Sequence, residues 1–240
     1  MPRIIDTHAH LDSSIYDQDL WNVMERATQE DVWMVTVGND YESSVRAVEI
    51  ANEFEHVYAA IGLHPTHVRS DVSADDRLMD LDKYYALAQD PKVVAIGETG
   101  LDFSDIPIYT RRHPDAHKFD RIKDAQKKVL GRFLQLSQET RLPLLLHCRD
   151  AHEEMIEMLD TWDKATSGHD SRGIVHAFTG SWKDARRYFA LNFMVSMTGI
   201  IMYGSYQTEM VKKMPLQHLV LESDCPYLTP TPWNLRRNEP

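Results

Sequence analysis

The chain has 240 residues, of which 42% are hydrophobic and 26% charged, and its formal net charge is −11. These are ordinary globular values, and the length suits one large core, close to the roughly 250 residues of a single (β/α)8 barrel. The acidic total argues against non-specific binding of nucleic acid by the whole surface.

Strand and helix signals alternate along the chain, which is typical of βαβ units around a parallel sheet. The first helix is predicted near 20–28, where Leu20, Val23 and Met24 share one face at helical spacing. The predicted strands are 3–8, 32–37, 57–63, 93–97, 143–146, 173–176, 193–197 and 219–221. These strands predict an α/β fold, a TIM (β/α)8 barrel that forms one domain over residues 1–240.

The chain after the last predicted strand differs from the rest. Residues 225–240 are rich in proline and have no helical period, so we expect the last outer helix of the barrel to be missing. Either the chain is truncated, or the final strand is covered by a partner or by the tail itself. The sequence leaves the oligomeric state open.

The cysteine content and the length of the apolar runs indicate where in the cell the protein is expected. Cys148 and Cys225 do not make a disulfide framework, and we expect both to be reduced. No apolar run approaches the ~18 residues needed to span a bilayer, and no signal peptide opens the chain. We therefore expect a cytoplasmic protein with no membrane partner.

Six short apolar runs each end in a side chain that can bind a metal ion. The C-terminal ends of the strands in a parallel barrel converge on one mouth, where the chemistry of such folds lies. Ligands that are distributed along the sequence would therefore meet at one point, which predicts a metallohydrolase. The side chains at or just after these runs are His8, His10, His64, Glu98, His147, His176 and Asp224.

His8 and His10 form an HxH pattern at the end of the first strand. Because a strand has a period of two residues, both imidazoles face the same way and can bind one divalent ion. Two hydrogen-bonded loop histidines are the alternative. Asp6 is expected to support them through a hydrogen bond rather than bind metal.

Glu98 follows an aliphatic run, and a buried carboxylate is costly unless it is paired or binds metal. We favour a bridge between two ions over a helix-capping or ion-paired acid.

His147 and His176 also follow aliphatic runs, and together they predict a second metal site. Asp224 ends the eighth strand, where a carboxylate can contact the metal and its water and act as general base. Glu222 could support Asp224 from deeper on the same face of the strand.

His64 fits less well as a ligand and is expected to contact the leaving group or oxyanion of the substrate. This donor set suits two divalent ions but does not select among magnesium, manganese, zinc and iron.

Three residues are candidates for binding an anionic substrate. Arg149 can pair with a phosphate, or form a salt bridge with Asp150. Thr179 and Ser181 offer donors at a helix start, or serve as an ordinary N-cap. The segment 111–132 has eight basic and three acidic residues, a net +5 that leaves −16 on the rest of a chain with −11 in total. It is either a solvated helix face or a local patch that attracts anions.

The remaining histidines fall in predicted helices or loops, and we interpret them as surface residues. Cys148 lies on the opposite face of its strand from His147, so we do not expect it to bind metal. The histidines of this second group are His56, His67, His113, His117, His152, His169 and His218.

Six ordered motifs resemble those of the TatD-type hydrolases in the amidohydrolase superfamily. The resemblance runs from residue 4 to Pro240 and implies a metal-dependent phosphodiesterase or deoxyribonuclease on a TIM barrel, with members that act as 3′-to-5′ exonucleases on DNA and some on RNA. The motifs are Asp-Thr-His-Ala-His-Leu-Asp (6–12), Ile-Gly-Leu-His-Pro (61–65), Gly-Glu-Thr-Gly-Leu-Asp (97–102), His-Cys-Arg-Asp-Ala (147–151), His-Ala-Phe-Thr-Gly-Ser (176–181) and Glu-Ser-Asp-Cys-Pro-Tyr-Leu (222–228).

The resemblance also implies a role for each site residue. One metal would be bound by His8, His10 and Asp224. The other would be bound by His147 and His176, with Glu98 bridging. His64 would contact the scissile phosphate.

Three features depart from the family pattern. Thr99 stands where an aliphatic residue is usual, next to Glu98. The connection 104–120 is longer than usual and basic, and we expect it to lie over the active-site mouth and to contribute to substrate binding. The tail motif that ends in Pro240 is normally followed by one or more helices.

Two other functions stay open at this point. The metal constellation of the superfamily hydrolyses C–O, C–N and P–O bonds, so an acyl-type hydrolase (a deacylase, lactonase or aminoacyl-tRNA editing enzyme) is the first alternative. A non-catalytic metal-binding protein is the second. The basic segment favours a phosphate substrate such as DNA, whereas the net charge of −11 slightly disfavours it.

Overall fold

A computed structural model describes residues 2–68, 80–104, 116–165, 172–202, 210–234 and 236–240. Its strands form one sheet in sequence order, and every neighbouring pair is parallel. This confirms the predicted barrel. The strands are β1 (Ile4–Ala9), β2 (Val32–Val37), β3 (Val57–Ile61), β4 (Val93–Asp102), β5 (Leu144–Arg149), β6 (Gly173–Val175), β7 (Phe193–Met197) and β8 (Leu219–Leu221).

Amphipathic helices pack around the strands. The predicted face of the first helix is confirmed, since Leu20, Val23, Met24 and Ala27 are all buried. No helix in the described ranges has both the length and the apolar character needed to cross a membrane. The helices are α1 (Leu20–Gln29), α2 (Tyr41–Glu53), α3 (Leu81–Leu87), α4 (Ala116–Thr140), α5 (His152–Ala165) and α6 (Trp182–Ala190).

The first strand and the segment after the last strand meet at the mouth of the barrel. The backbone N–H of Asp224 donates to the carbonyl of His8 at 2.9 Å, and that of His10 donates to Cys225 at 2.8 Å. Deeper in the barrel, the Thr7 hydroxyl donates to the Leu221 carbonyl at 3.0 Å. Closing the barrel therefore brings the HxH pattern beside Asp224.

Strand β4 is longer than the sequence predicts. The register between β4 and β5 shifts between Ile96 and Thr99, after which pairing resumes as far as Asp102 opposite Arg149. A glycine in a strand pattern marks such an irregularity as readily as a strand end. Glu98 therefore lies at a distorted point inside the strand rather than at its end.

In the described residues after β8 no helix is present, as expected. The tail instead packs against α1 and the loop that carries Asp224. Asn238 donates through Nδ2 to the carbonyls of Ser223 and Tyr227 at 2.9 and 2.8 Å, while Arg237 pairs with Asp19 at 2.7 Å. Leu221 on β8 stays 59% exposed. The tail thus braces the site loop but leaves the outer face of β8 open.

Gly100 tests how tightly β4 and β5 approach each other. It has a φ of +152°, and a Cβ there would lie 1.9 Å from the carbonyl oxygen of His147. We expect Gly100→Ala to lower the free energy of unfolding by about 2–4 kcal/mol, because the backbone is strained and β5 must move. Chemical denaturation measures this directly.

Gly131 provides the matched control. It lies exposed in α4, and a Cβ there meets nothing within 4 Å. Gly131→Ala should raise the free energy of unfolding by about 0.5–1 kcal/mol through helix propensity. Equal effects of the two alanines would contradict the close approach at Gly100.

Candidate metal centre

Glu98 lies at the centre of the predicted histidines and is only 2% exposed. Its Oε1 is 2.8 Å from His176 Nε2, 2.9 Å from His147 Nδ1 and 3.2 Å from His64 Nε2. Its Oε2 is 3.4 Å from His8 Nε2 and 3.8 Å from His10 Nε2. Each carboxylate oxygen therefore faces a different histidine group.

Asp224 completes the group around the HxH pattern. Its Oδ1 lies 3.4 Å from His10 Nε2 and 3.8 Å from His8 Nε2, and the two histidine nitrogens are 3.1 Å apart. Asp224 has a φ of +53°, a left-handed conformation that aspartate tolerates better than most residues. This backbone conformation and the tail contacts hold its carboxylate beside the two imidazoles.

Two histidine rings show that the donor set fits a cation. His10 Nδ1 donates to the Val37 carbonyl at 2.9 Å, which leaves the Nε2 lone pair of a neutral ring directed at the site. His147 Nε2 donates to Asp102 at 2.9 Å, so its Nδ1 lone pair faces Glu98 Oε1 at 2.9 Å. Two acceptors this close repel each other unless a proton or a cation lies between them. Imidazole nitrogens and carboxylate oxygens are suitable ligands for several divalent ions.

The carboxylates are held in their charged forms. Burial alone would raise the pKa of Glu98, but His176, His64 and His8 outweigh it and hold this pKa well below its usual range. Burial likewise opposes ionisation of Asp224, and the neighbouring imidazoles of His10 and His8 outweigh it and lower the pKa of Asp224. Both groups are therefore available as anionic ligands.

Asp102 is a site residue that the sequence analysis missed. Its Oδ2 accepts from His147 Nε2 at 2.9 Å, and its Oδ1 accepts from the N–H and the hydroxyl of Ser104 at 3.0 and 2.6 Å. Burial would raise the pKa of Asp102, but these hydrogen bonds and the nearby imidazole lower it. A carboxylate behind a metal-binding histidine fixes the ring and its tautomer. The available signal was Asp102 itself, which ends the motif that begins at Gly97.

Asp6 and Glu222 support the site from behind. Asp6 Oδ1 accepts from the N–H groups of His8 and Ser223 at 3.2 and 2.9 Å, so it joins β1 to the loop after β8. Glu222 Oε1 accepts from the Ala177 N–H at 2.6 Å and lies 3.7 Å from His176 Nδ1. The two acids act on backbone segments that carry the histidines.

A cavity of about 350 Å³ opens beside the candidate metal centre. Arg149 and Thr179 line it, as do His147, His176 and Asp224. Ser181 is an N-cap, the alternative to substrate binding, because its hydroxyl donates to Asp184 Oδ2 at 2.6 Å and accepts from the Asp184 N–H at 3.2 Å. It caps α6 and is not among the residues that line this cavity.

Other residues singled out in the sequence have a different environment from the one predicted, or lie outside the described part of the chain. His152 is half-buried and lies 3.1 Å from the Tyr188 hydroxyl through Nδ1, so its interpretation as a surface residue is wrong. Residues 105–115 and 166–171, with His113 and His169, lie outside the described part of the chain, as does the His117 side chain. The connection 104–120, which was expected to lie over the mouth, is therefore described only at Ser104 and in the first turn of α4, whereas most of the basic segment 111–132 lies in α4. Cys148 and Cys225 are free and buried, and burial raises the pKa of both thiols to about 12.

A parallel barrel whose strand ends gather histidines and carboxylates around one buried glutamate is the architecture of a metal-dependent hydrolase. Comparison with known proteins agrees. The sequence model of the TatD-related DNase family matches residues 5–240, so the chain belongs to that family. It is a metal-dependent hydrolase of this group.

Two relatives and one solved structure illustrate the likeness. The chain is 39% identical to the uncharacterized metal-dependent hydrolase YabD of Bacillus subtilis, with 99% of this chain and 86% of the relative covered. It is 32% identical to the 3′-5′ ssDNA/RNA exonuclease TatD of Salmonella typhimurium, with the same coverage. The crystal structure of YjjV, a TatD homologue from Escherichia coli, superposes with a TM-score of 0.80 at 29% identity, covering 99% of this chain and 85% of that one.

Asp102 provides a test of how the centre is supported. Asp102→Asn keeps the size of the side chain but removes the charge that fixes His147, so metal affinity should fall about 10- to 100-fold. Calorimetric titration of metal-stripped protein measures this. Asp160→Asn is the control, because Asp160 pairs with Lys164 on the exposed side of α5. Unchanged affinity in Asp102→Asn would refute the supporting role.

Proposed function

We propose that the protein is a divalent-metal-dependent phosphodiesterase that acts as a 3′-5′ exonuclease on DNA or RNA and uses two ions per chain. The observation that carries the proposal is the division of Glu98 between two histidine groups, beside a cavity lined by Arg149 and Thr179. One ion would be held by His8, His10 and Asp224. The other would be held by His147 and His176, and Glu98 would contribute to both sites.

Bound divalent ions would supply Lewis acidity toward a phosphoryl group and lower the pKa of water at the site, a role that magnesium, manganese or zinc can fill. Proton transfer and hydrogen bonding to the substrate are assigned to residues of the chain. Asp224 is ionised and lines the cavity, so it can accept the proton of the attacking water as general base. His64 Nε2 lies 3.2 Å from Glu98 Oε1, and the ring can donate to the scissile phosphate or the leaving oxygen.

The anionic substrate would be bound by residues around the cavity. Arg149 is exposed at the end of β5, where its guanidinium can pair with a phosphate of the strand being digested. Thr179 adds a hydroxyl donor from the loop before α6. The free, buried cysteines suit the reducing cytoplasm, which is where we place the enzyme.

The proposed polarity and substrate are supported by the name of one relative. The Salmonella typhimurium relative is named a 3′-5′ ssDNA/RNA exonuclease at 32% identity. The Bacillus subtilis relative, at 39%, is named only a metal-dependent hydrolase. Family membership and the name of the Salmonella typhimurium relative both support nuclease chemistry.

The test is an assay on single-stranded DNA and RNA labelled at the 3′ or the 5′ end, with metal-stripped protein that is refilled with magnesium, manganese or zinc. We expect stepwise, metal-dependent loss from the 3′ end, and a fall of 100-fold or more in Asp224→Asn because the general base is lost. Glu153→Gln, on the exposed side of α5, is the control. Hydrolysis of acyl esters or amides without nuclease activity would replace the proposal with an acyl-type hydrolase. Metal-loaded protein with no turnover on any substrate would indicate a non-catalytic metal-binding protein.

Arg149 gives a separate prediction about substrate binding. Removing one phosphate contact to a single strand should reduce the slope of log affinity against log salt by about 0.7. Arg149→Ala is compared with Arg46→Ala, whose guanidinium pairs with Glu49 on the surface of α2. Fluorescence anisotropy in an Asp224→Asn background measures binding without cleavage. An unchanged slope in Arg149→Ala would exclude this contact.

A further inference from the structure

Thr66 contacts His64, the strand-end histidine that is assigned to the substrate rather than to a metal ion. The chain turns after β3 into a short 3₁₀ helix, Pro65–His67, and His64 caps its N-terminus with its own ring. The Thr66 backbone N–H donates to His64 Nδ1 at 3.2 Å, and the Thr66 hydroxyl lies 2.7 Å from the same nitrogen. The backbone N–H and the hydroxyl of one residue therefore both meet one ring nitrogen.

This arrangement fixes the position of the ring proton. The Thr66 N–H, at 3.2 Å, disfavours a proton on His64 Nδ1, and the hydroxyl, at the shorter distance of 2.7 Å, can then donate to the same nitrogen, so that the two groups together make Nδ1 the acceptor. The ring proton is then on Nε2, which lies 3.2 Å from Glu98 Oε1. His64 thus presents an N–H donor, and not a lone pair, to the centre of the site.

The tautomer decides between two roles for His64. One ligand atom from each of His64, Glu98 and His147 lies within 4.8 Å of the other two, so distance alone would allow His64 to bind a metal ion. A metal ligand needs a lone pair on the nitrogen that faces the ion. With its proton on Nε2, His64 can only donate, either to Glu98 or to an oxygen of the substrate.

We propose that Thr66 is a positioning residue that holds His64 in the Nε2–H tautomer, and so makes His64 a hydrogen-bond donor to the substrate rather than a third histidine ligand. The role toward substrate rests on the proposed function. The tautomer itself does not, and it can be observed in the absence of any substrate. Thr66 acts only through His64.

The first test is the long-range ¹H–¹⁵N spectrum of histidine-labelled, zinc-loaded protein, with the His64 signals assigned through His64→Gln. We expect the Nε2–H pattern in the wild type and in Thr66→Ser, which keeps the hydroxyl. Thr66→Val removes the hydroxyl and should show a measurable share of the Nδ1–H form. A wild-type ring with its proton on Nδ1, or identical spectra in the wild type and Thr66→Val, would overturn the proposal.

The second test separates this proposal from the nuclease assignment. Thr66→Val should lower kcat on single-stranded DNA by about three- to tenfold, with KM and metal content unchanged and with recovery in Thr66→Ser. His64→Gln should bind as much metal per chain as the wild type, and loss of an ion would show that His64 is a ligand and contradict the proposal. If the wild type cleaves no nucleic acid, the nuclease assignment fails while the spectra still decide the tautomer.

Discussion

The structure depends on a carboxylate buried at the centre of a barrel among five imidazoles. An isolated charge in such a place is strongly unfavourable, because burial removes its hydration. Glu98 is tolerated there because His147, His176 and His64 approach one of its oxygens while His8 and His10 approach the other. Divalent ions between these donors would remove the remaining repulsion between lone pairs. The repulsion between lone pairs that destabilises the site without a cation therefore also favours the binding of a cation there.

The fold provides this convergence through a few local devices. The register shift in β4 lets Glu98 lie inside the barrel mouth while the strand continues to Asp102, which fixes the His147 ring. The backbone bonds between β1 and the segment after β8 bring Asp224 to the HxH pattern. The tail then holds the Asp224 loop through Asn238. Residues far apart in sequence are therefore held by backbone contacts rather than by side-chain packing alone.

The sequence predicts the barrel and the central residues of the site well, for a physical reason. Parallel strands must be apolar on both faces, so a polar, metal-capable residue such as His147 or His176 at the end of an apolar run is easy to recognise. The direction in which all strands run then requires that these residues meet. The structure brings His8, His10, Glu98, His147, His176 and Asp224 together, and it places Arg149 and Thr179 beside them.

The missed features depend on pairing between distant segments. The irregularity at Glu98 is set by the register against β5, and a sequence window around Gly97 does not contain that information. The role of Asp102 follows from the same register. The sequence allows the Ser181 hydroxyl either to bind substrate or to cap a helix, and only the position of Asp184 decides that it caps α6. His152 is polar in sequence, yet its burial depends on Tyr188, which belongs to the next helix.

The most direct test of the account is to count the metal ions per chain by native mass spectrometry, in the wild type and in Glu98→Gln, after loading with zinc or manganese at the same free concentration. If Glu98 bridges two ions, the wild type will bind two per chain, and Glu98→Gln will lose both at concentrations that saturate the wild type. Glu153→Gln will match the wild type. A single ion in the wild type, or two ions retained by Glu98→Gln, would contradict the central role assigned to this carboxylate.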